Sequence, residues 1–158
     1  MAQVKTNAMR ILDTKGIAYR VMTYDSQDGK IDSVSVAQKV GKAPETVYKT
    51  LVTQGSSRNI YVFIIPVEAE LDLKKAALCA KEKNIDLIPV KDIQKWTGYI
   101  RGGCSPVGMK KSYPTFIDES GLRLPGMAVS GGKIGIQIEL SGEDLREVTG
   151  ASWCDVIK

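Results

Sequence analysis

At 158 residues, with 43% apolar and 25% charged side chains, the chain has the make-up of one ordinary domain spanning 1–158, long enough to bury a core. A net charge of +4 is too slight to demand a polyanionic partner, and the absence of histidine excludes Ser-His-Asp and Cys-His catalysis together with histidine-ligated metals. The longest apolar run, Ile60-Tyr61-Val62-Phe63-Ile64-Ile65, is too short to cross a bilayer, and Met1-Ala2-Gln3-Val4-Lys5 lacks the apolar core of a signal peptide, so a cytoplasmic protein is expected. Cys79, Cys104 and Cys154 are widely spaced with no C-x-x-C pair; three free thiols and no zinc site follow.

In chain order, Ala8, Ile11 and Leu12 lie at i, i+3 and i+4 ahead of Gly16, the pattern of an amphipathic helix, and residues 17–24 follow as a strand. A polar run over residues 25–30 has the composition of a surface loop that flanks a site. Asp32 or Ser33 caps a short helix with Val36, Ala37 and Val40 on one face. Residues 47–52 and 60–67 form a hairpin of two central strands, and Asp72 then caps a helix whose buried stripe is Leu73, Ala76, Ala77 and Ala80. After a short strand near residues 86–88, a helix over residues 91–96 ends at Gly98. Strands at 115–118, 127–130 and 134–140 alternate with turns, and Ser141 starts a last helix before a strand at 153–157. This is a mixed sheet with helices packed on it, an α+β domain without internal repeat.

The run Thr97-Gly98-Tyr99-Ile100-Arg101-Gly102-Gly103-Cys104-Ser105-Pro106-Val107-Gly108 has four glycines and a proline in twelve residues, a composition of neither helix nor strand. It is either a ligand loop, its N–H groups open to an anion or polarised carbonyl, or a tight connection between elements. Lys49, in a strand with apolar neighbours, either snorkels outward or is drawn in to meet an anionic ligand. Cys104 has no histidine to act as its base, and Ser105 reads as a hydrogen-bonding loop hydroxyl rather than a nucleophile. The carboxylate pairs Asp118/Glu119 and Glu68/Glu70 lack ligand spacing and read as surface. Lys74-Lys75, Lys110-Lys111, Arg101 and Lys133 are either solvated charges or the lining of a groove for a polynucleotide backbone.

Three stretches together resemble one family: Val47-Tyr48-Lys49-Thr50-Leu51; the glycine run with Lys110-Lys111; and Val129-Ser130-Gly131-Gly132-Lys133 through Ile138-Glu139-Leu140. With Thr23-Tyr24 and Leu71-Asp72-Leu73-Lys74-Lys75 they are similar, over nearly the whole chain, to the YbaK/EbsC-type aminoacyl-tRNA deacylases, relatives of the prolyl-tRNA synthetase editing domain. The resemblance implies a curved, barrel-like mixed sheet with flanking helices and, as activity, hydrolysis of Cys-tRNA(Pro) in trans without metal or cofactor. The substrate's own thiol attacks its carbonyl, so the protein supplies no nucleophile. It also implies that Lys49 holds the acylated terminal adenosine or its phosphate, that the Gly102-Gly103 backbone orients the ester, and that Ser105 shapes the loop. Tyr24 and Thr50 then border the side-chain pocket, and prolyl-tRNA synthetase becomes a partner.

Two positions depart from the family pattern: Ile134 stands where an arginine is expected, and Gln137 where an aspartate is expected. Gln137 keeps hydrogen-bonding capacity without the charge, which bears on which amino acid the pocket accepts. The alternatives are the same reaction on another small amino acid, such as Ala-tRNA(Pro), or a non-catalytic module that docks on tRNA or a synthetase.

Overall fold

Four helix starts are written in the sequence as side chains that accept hydrogen bonds from otherwise free N–H groups. The computed structural model describes residues 5–158, so the reading of residues 1–4 lies outside the described chain. Thr6 accepts from Met9 ahead of α1 (Asn7–Thr14), Asp32 from Ser35 ahead of α2 (Ser33–Lys39), and Asp72 from Lys74 and Lys75 ahead of α3 (Leu73–Ala80). The fourth helix, α4 (Ile93–Thr97), follows directly on a 3-10 turn at Val90–Asp92, and Ser141 accepts from Asp144 ahead of α5 (Gly142–Thr149).

Among the described residues eight strands form two sheets: β1 (Arg20–Thr23), β2 (Tyr48–Gly55), β3 (Ile60–Pro66), β4 (Ile85–Leu87), β5 (Thr115–Asp118), β6 (Met127–Ser130), β7 (Ile136–Leu140) and β8 (Ser152–Cys154). The larger sheet has the order β4-β2-β3-β5-β8, parallel where β3 meets β5 and β5 meets β8; the smaller is an antiparallel β1-β7-β6. β2 and β3 are central, as their apolar runs imply. β3 is buried from Ile60 to Ile65 because both faces are covered: Tyr61, Phe63 and Ile65 pack with α3, while Ile64 joins the core beneath α1 and α5.

Some expectations are corrected. Neither sheet curls into a barrel: the two meet at one parallel bridge between Val47 and Ala128, and the end strands β4 and β8, three residues each, do not pair with one another. The first strand is shorter than residues 17–24 because the Ile17 N–H is taken by Leu12 O at the end of α1. Cys79 and Cys154 are not free thiols but a disulfide, 75 residues apart in sequence with Cα atoms 6.7 Å apart. Pairing β8 alongside β5 places Cys154 in the apolar cluster under α3, where Cys79 also packs; Cys104 is the free cysteine.

Asp118 is likewise no surface carboxylate, being 1% exposed. One of its oxygens accepts from Ser120 N–H at 3.0 Å, starting the 3-10 turn Glu119–Arg123, and the other accepts from Val156 N–H at 3.2 Å. It therefore ties the C-terminal strand region to β5. Asp118→Ala leaves both N–H groups without a partner and is expected to lower stability by about 2–4 kcal/mol in chemical denaturation. Asp118→Asn, which keeps one acceptor, is expected to fall between the two.

Candidate functional site

The edge of β2 away from β3 is covered at both ends and open in the middle. β6 reaches it only at Val47, and β4 pairs only from Thr53 to Gly55. The Val52 carbonyl accepts from Ile88 N–H on that edge, and strand alternation turns the main-chain N–H and C=O of Thr50 the same way, into the gap. A cavity of about 430 Å3 opens there, lined by Lys49 and Thr50 from β2, by Gln137 and Ser130 from the smaller sheet, and by Arg101, Gly102 and Cys104 from the glycine run. Its other wall is residues 31–36, where Ile31 leads into α2, and the turn that carries Val90 and Ile93 closes it.

Register explains the polar groups. Gln137 pairs with Met22 on one side and Ser130 on the other, on the face of the smaller sheet that α2 covers through Ala37. It is 7% exposed, and its Oε1 has no hydrogen-bond partner. Tyr24 lies beyond the end of β1, its N–H on Gly135 O, and its buried Oη is also unpartnered, as is Thr50 Oγ1. A buried polar atom without a partner is costly and rare, so two of them on residues lining one opening, Thr50 and Gln137, mark groups that a ligand completes. Lys49 makes no ion pair among the described residues. Loss of water on burial pushes its ammonium pKa down, with the charge of Glu70 partly opposing.

The two glycines of the loop do different work. Gly102, at φ +85°, lines the cavity, and the space a Cβ would take is filled by Ile31 Cδ1 at 2.8 Å. A Cβ on Gly103 would sit 3.0 Å from the main-chain N of Ile134 and 3.2 Å from the carbonyl carbon of Lys133. Its own N–H donates to Ile100 O. Gly103 thus lets the two glycine loops pack backbone to backbone and offers no N–H to a ligand; the open ligand-loop reading narrows to Gly102. Ser105 is fully buried and absent from the cavity lining, its Oγ accepting from Val107 N–H at 3.1 Å.

Of the sequence-derived site residues, the cavity brings together Lys49, Thr50, Gly102 and Gln137, while Tyr24, Gly103 and Ser105 are not among its lining. Ile31, Val34 and Ile93 were missed: they read as ordinary helix and loop apolar residues, and only the polar run before them signalled a site nearby. Lys39 was missed as well. Its ammonium donates to Asp25 O, Asp28 Oδ1 and Lys30 O and lies 5.9 Å from the centre of the Tyr24 ring, so it holds the 25–30 loop in place beside Ile31. Among the described residues no cluster of three His, Cys, Asp or Glu is placed to hold a metal, and no helix is long and apolar enough to cross a membrane.

Comparison with known proteins places this geometry. The model of the aminoacyl-tRNA editing domain matches residues 30–148, which carry all of the cavity lining. The proposed Cys-tRNA(Pro)/Cys-tRNA(Cys) deacylase EbsC of Enterococcus faecalis (strain ATCC 700802 / V583) is 38% identical over 154 residues, covering 98% of this chain and 94% of that protein. Two solved structures share the fold. One is a scaffold from computational epitope backbone grafting, 26% identical with a TM-score of 0.83, covering 98% of this chain and 99% of that one. The other is a proposed trans-editing enzyme for prolyl tRNA synthetase, 24% identical with a TM-score of 0.83 and the same coverage.

Burial pushes the Cys104 thiol up to about 11, a donor hydrogen bond involving Thr97 offsetting only part of the shift, so at neutral pH it is protonated and a poor nucleophile. As the free cysteine it is expected to alkylate with iodoacetamide at pH 7 about two orders of magnitude more slowly than an exposed thiol. Alkylation at the exposed rate, measured by mass spectrometry, would contradict the burial argument.

Proposed function

The chain belongs to the aminoacyl-tRNA editing domain family, and on that premise we propose that it is a trans-editing deacylase acting on the cysteinyl ester of proline tRNA. One observation carries the reading: an unpaired lysine and two buried, partnerless polar atoms, Thr50 Oγ1 and Gln137 Oε1, line a single cavity, and Tyr24 Oη is a third buried atom without a partner. Gln137 Oε1 accepts only, so it asks the ligand for a donor, which the α-amino group or the thiol of a cysteinyl ester supplies. The two hydroxyls donate or accept, and the Lys49 ammonium meets a phosphate or a polarised carbonyl as a point charge. That the EbsC relative is named for two cysteinyl-tRNAs favours the cysteinyl group as the feature recognised.

With no histidine in the chain and a Cys104 thiol held protonated, this reading lets the substrate carry the nucleophile. The substrate sulfur forms a bond to its own carbonyl carbon, the ester C–O bond breaks, and the thiol proton ends on the departing ribose oxygen. The product is a cyclic thiolactone that water then opens. What the protein provides is position and charge: Lys49 stabilises oxygen charge, Gly102 orients the ester, and Tyr24, Thr50 and Gln137 hold the amino-acid end. Gly103 and Ser105 support the loop behind Gly102. In this reading residues 1–158 act as one editing domain, in the cytoplasm where charged tRNA is used, with prolyl-tRNA synthetase as the source of the mischarged substrate.

Release of free amino acid from Cys-tRNA(Pro) and Ala-tRNA(Pro), corrected for spontaneous ester hydrolysis, tests the assignment. Wild type is expected to act on the cysteinyl substrate, and Lys49→Ala to lose about 10²–10³-fold. Turnover confined to the alanyl substrate would reassign the amino acid to the one that Gln137 accommodates, and turnover of neither would refute the deacylase. A second expectation concerns pH. Because the Lys49 pKa lies below the ordinary 10.5, activity that needs the ammonium should fall on the alkaline side with an apparent pKa below that value. The sign for stability is opposite: the unfolded chain holds this proton more tightly, so the contribution of Lys49 to stability improves as pH rises through the same window. Lys49→Met is therefore expected to raise the melting temperature at neutral pH while abolishing turnover.

A further inference from the structure

The cavity has two rims of unlike charge. On one side, the segment from Ile85 to Lys111 carries Lys91, Lys95, Arg101, Lys110 and Lys111 against two acids, Asp86 and Asp92. All five cations are exposed, and none makes an ion pair among the described residues. On the other side, the loop before α2 presents Asp25, Asp28 and Asp32 against the exposed Lys30, and Lys39 from α2 is occupied by Asp28 and two carbonyls. The cationic rim is also a built wall. Lys110 N–H donates to Thr97 O and Tyr113 Oη to Trp96 O, so the chain leaving the glycine run is fastened to the end of α4. Thr97 Oγ1 accepts from Tyr99 N–H, and Tyr99 Oη donates to Val107 O across the run. Exposed Val90, which lines the cavity, and exposed Ile100 interrupt the charges along this segment.

We propose that this wall, α4 together with residues 98–111, is the track along which the single-stranded 3′ end of an RNA reaches the cavity. The inference rests on the deacylase reading for the identity of that RNA. Exposed cations without an ion pair, spaced along a rigid surface, suit successive backbone phosphates, whereas the loop opposite carries three carboxylates with Lys30 and is the less favourable side for a strand to enter. Arg101, which both stands in the wall and lines the cavity, marks where the track ends. The basic residues that sequence reading grouped together therefore divide: Lys110 and Lys111 belong to the track, while Lys74 and Lys75 lie on α3, which contributes nothing to the cavity lining.

The test compares two variants of equal net charge, Lys91→Glu/Lys95→Glu/Lys111→Glu in the wall and Lys15→Glu/Lys74→Glu/Arg123→Glu elsewhere on the exposed surface. Each is checked for native circular dichroism, and affinity is measured for an uncharged RNA hairpin with a single-stranded ACCA 3′ end. The wall variant is expected to bind at least about tenfold more weakly, with the slope of log K against log salt shallower by about 2. Its deficit should vanish when the overhang is deleted from the RNA. Equal losses in the two variants, or wild-type affinity in the wall variant, would overturn the proposal. Undiminished hydrolysis of Cys-tRNA(Pro) at sub-saturating substrate in the wall variant would also overturn it and leave the deacylase assignment standing. Overhang-dependent binding through the wall by a protein that deacylates nothing would support the track and remove the deacylase assignment instead.

Discussion

A short length of unpaired strand edge is the constraint on which the site depends. β2 pairs with β3 along its whole length, but on its other side it is met by β6 at Val47 and by β4 from Thr53 onward. The residues between cannot be covered by either neighbour without lengthening β4 or moving the smaller sheet. Lys49 and Thr50 sit in that interval, so a side chain that would be an ordinary strand residue elsewhere faces a cavity, and a main-chain donor and acceptor face it too. An exposed edge usually invites pairing with another chain. Here α2, the glycine run and the turn at Val90–Asp92 wall it off and leave room only for a ligand.

Burial then sets the chemistry of each group around that interval. It holds Cys104 protonated, and it lowers the Lys49 pKa while supplying no partner to neutralise the charge. It leaves Tyr24 Oη, Thr50 Oγ1 and Gln137 Oε1 without a hydrogen-bond partner from the protein. Each of these costs folding free energy, and a fold tolerates such costs at a site where a bound molecule returns them. The arrangement suits a reaction whose nucleophile arrives with the substrate, because positioned donors and acceptors need no activation.

Rigidity comes from contacts that have nothing to do with the ligand. Gly103 lies against the main chain of Lys133 and Ile134, Ser105 receives the Val107 N–H, and Lys39 gathers two carbonyls and Asp28 around the loop before α2. Through these the cavity wall is fixed by loops that are themselves fixed, which is how irregular segments hold a geometry that helices and strands hold by their ladders.

The sequence by itself determined the elements, because their causes are local. Asp32, Asp72 and Ser141 announce helix starts, the unbroken apolar run of β3 announces a central strand, and the motifs around Lys49 and the two glycine pairs carried the family resemblance. Tertiary structure alone decided what those residues face. That Asp118 is buried depends on Val156, 38 positions away, offering it an N–H; that Cys79 meets Cys154 depends on where β8 joins the sheet. Gly103 could not be separated from Gly102 by sequence, since which glycine packs on a neighbouring backbone and which opens to a ligand is a property of the second loop. The open sheets in place of a barrel have the same origin: closure depends on whether end strands find each other across the chain, and no window of local sequence contains both.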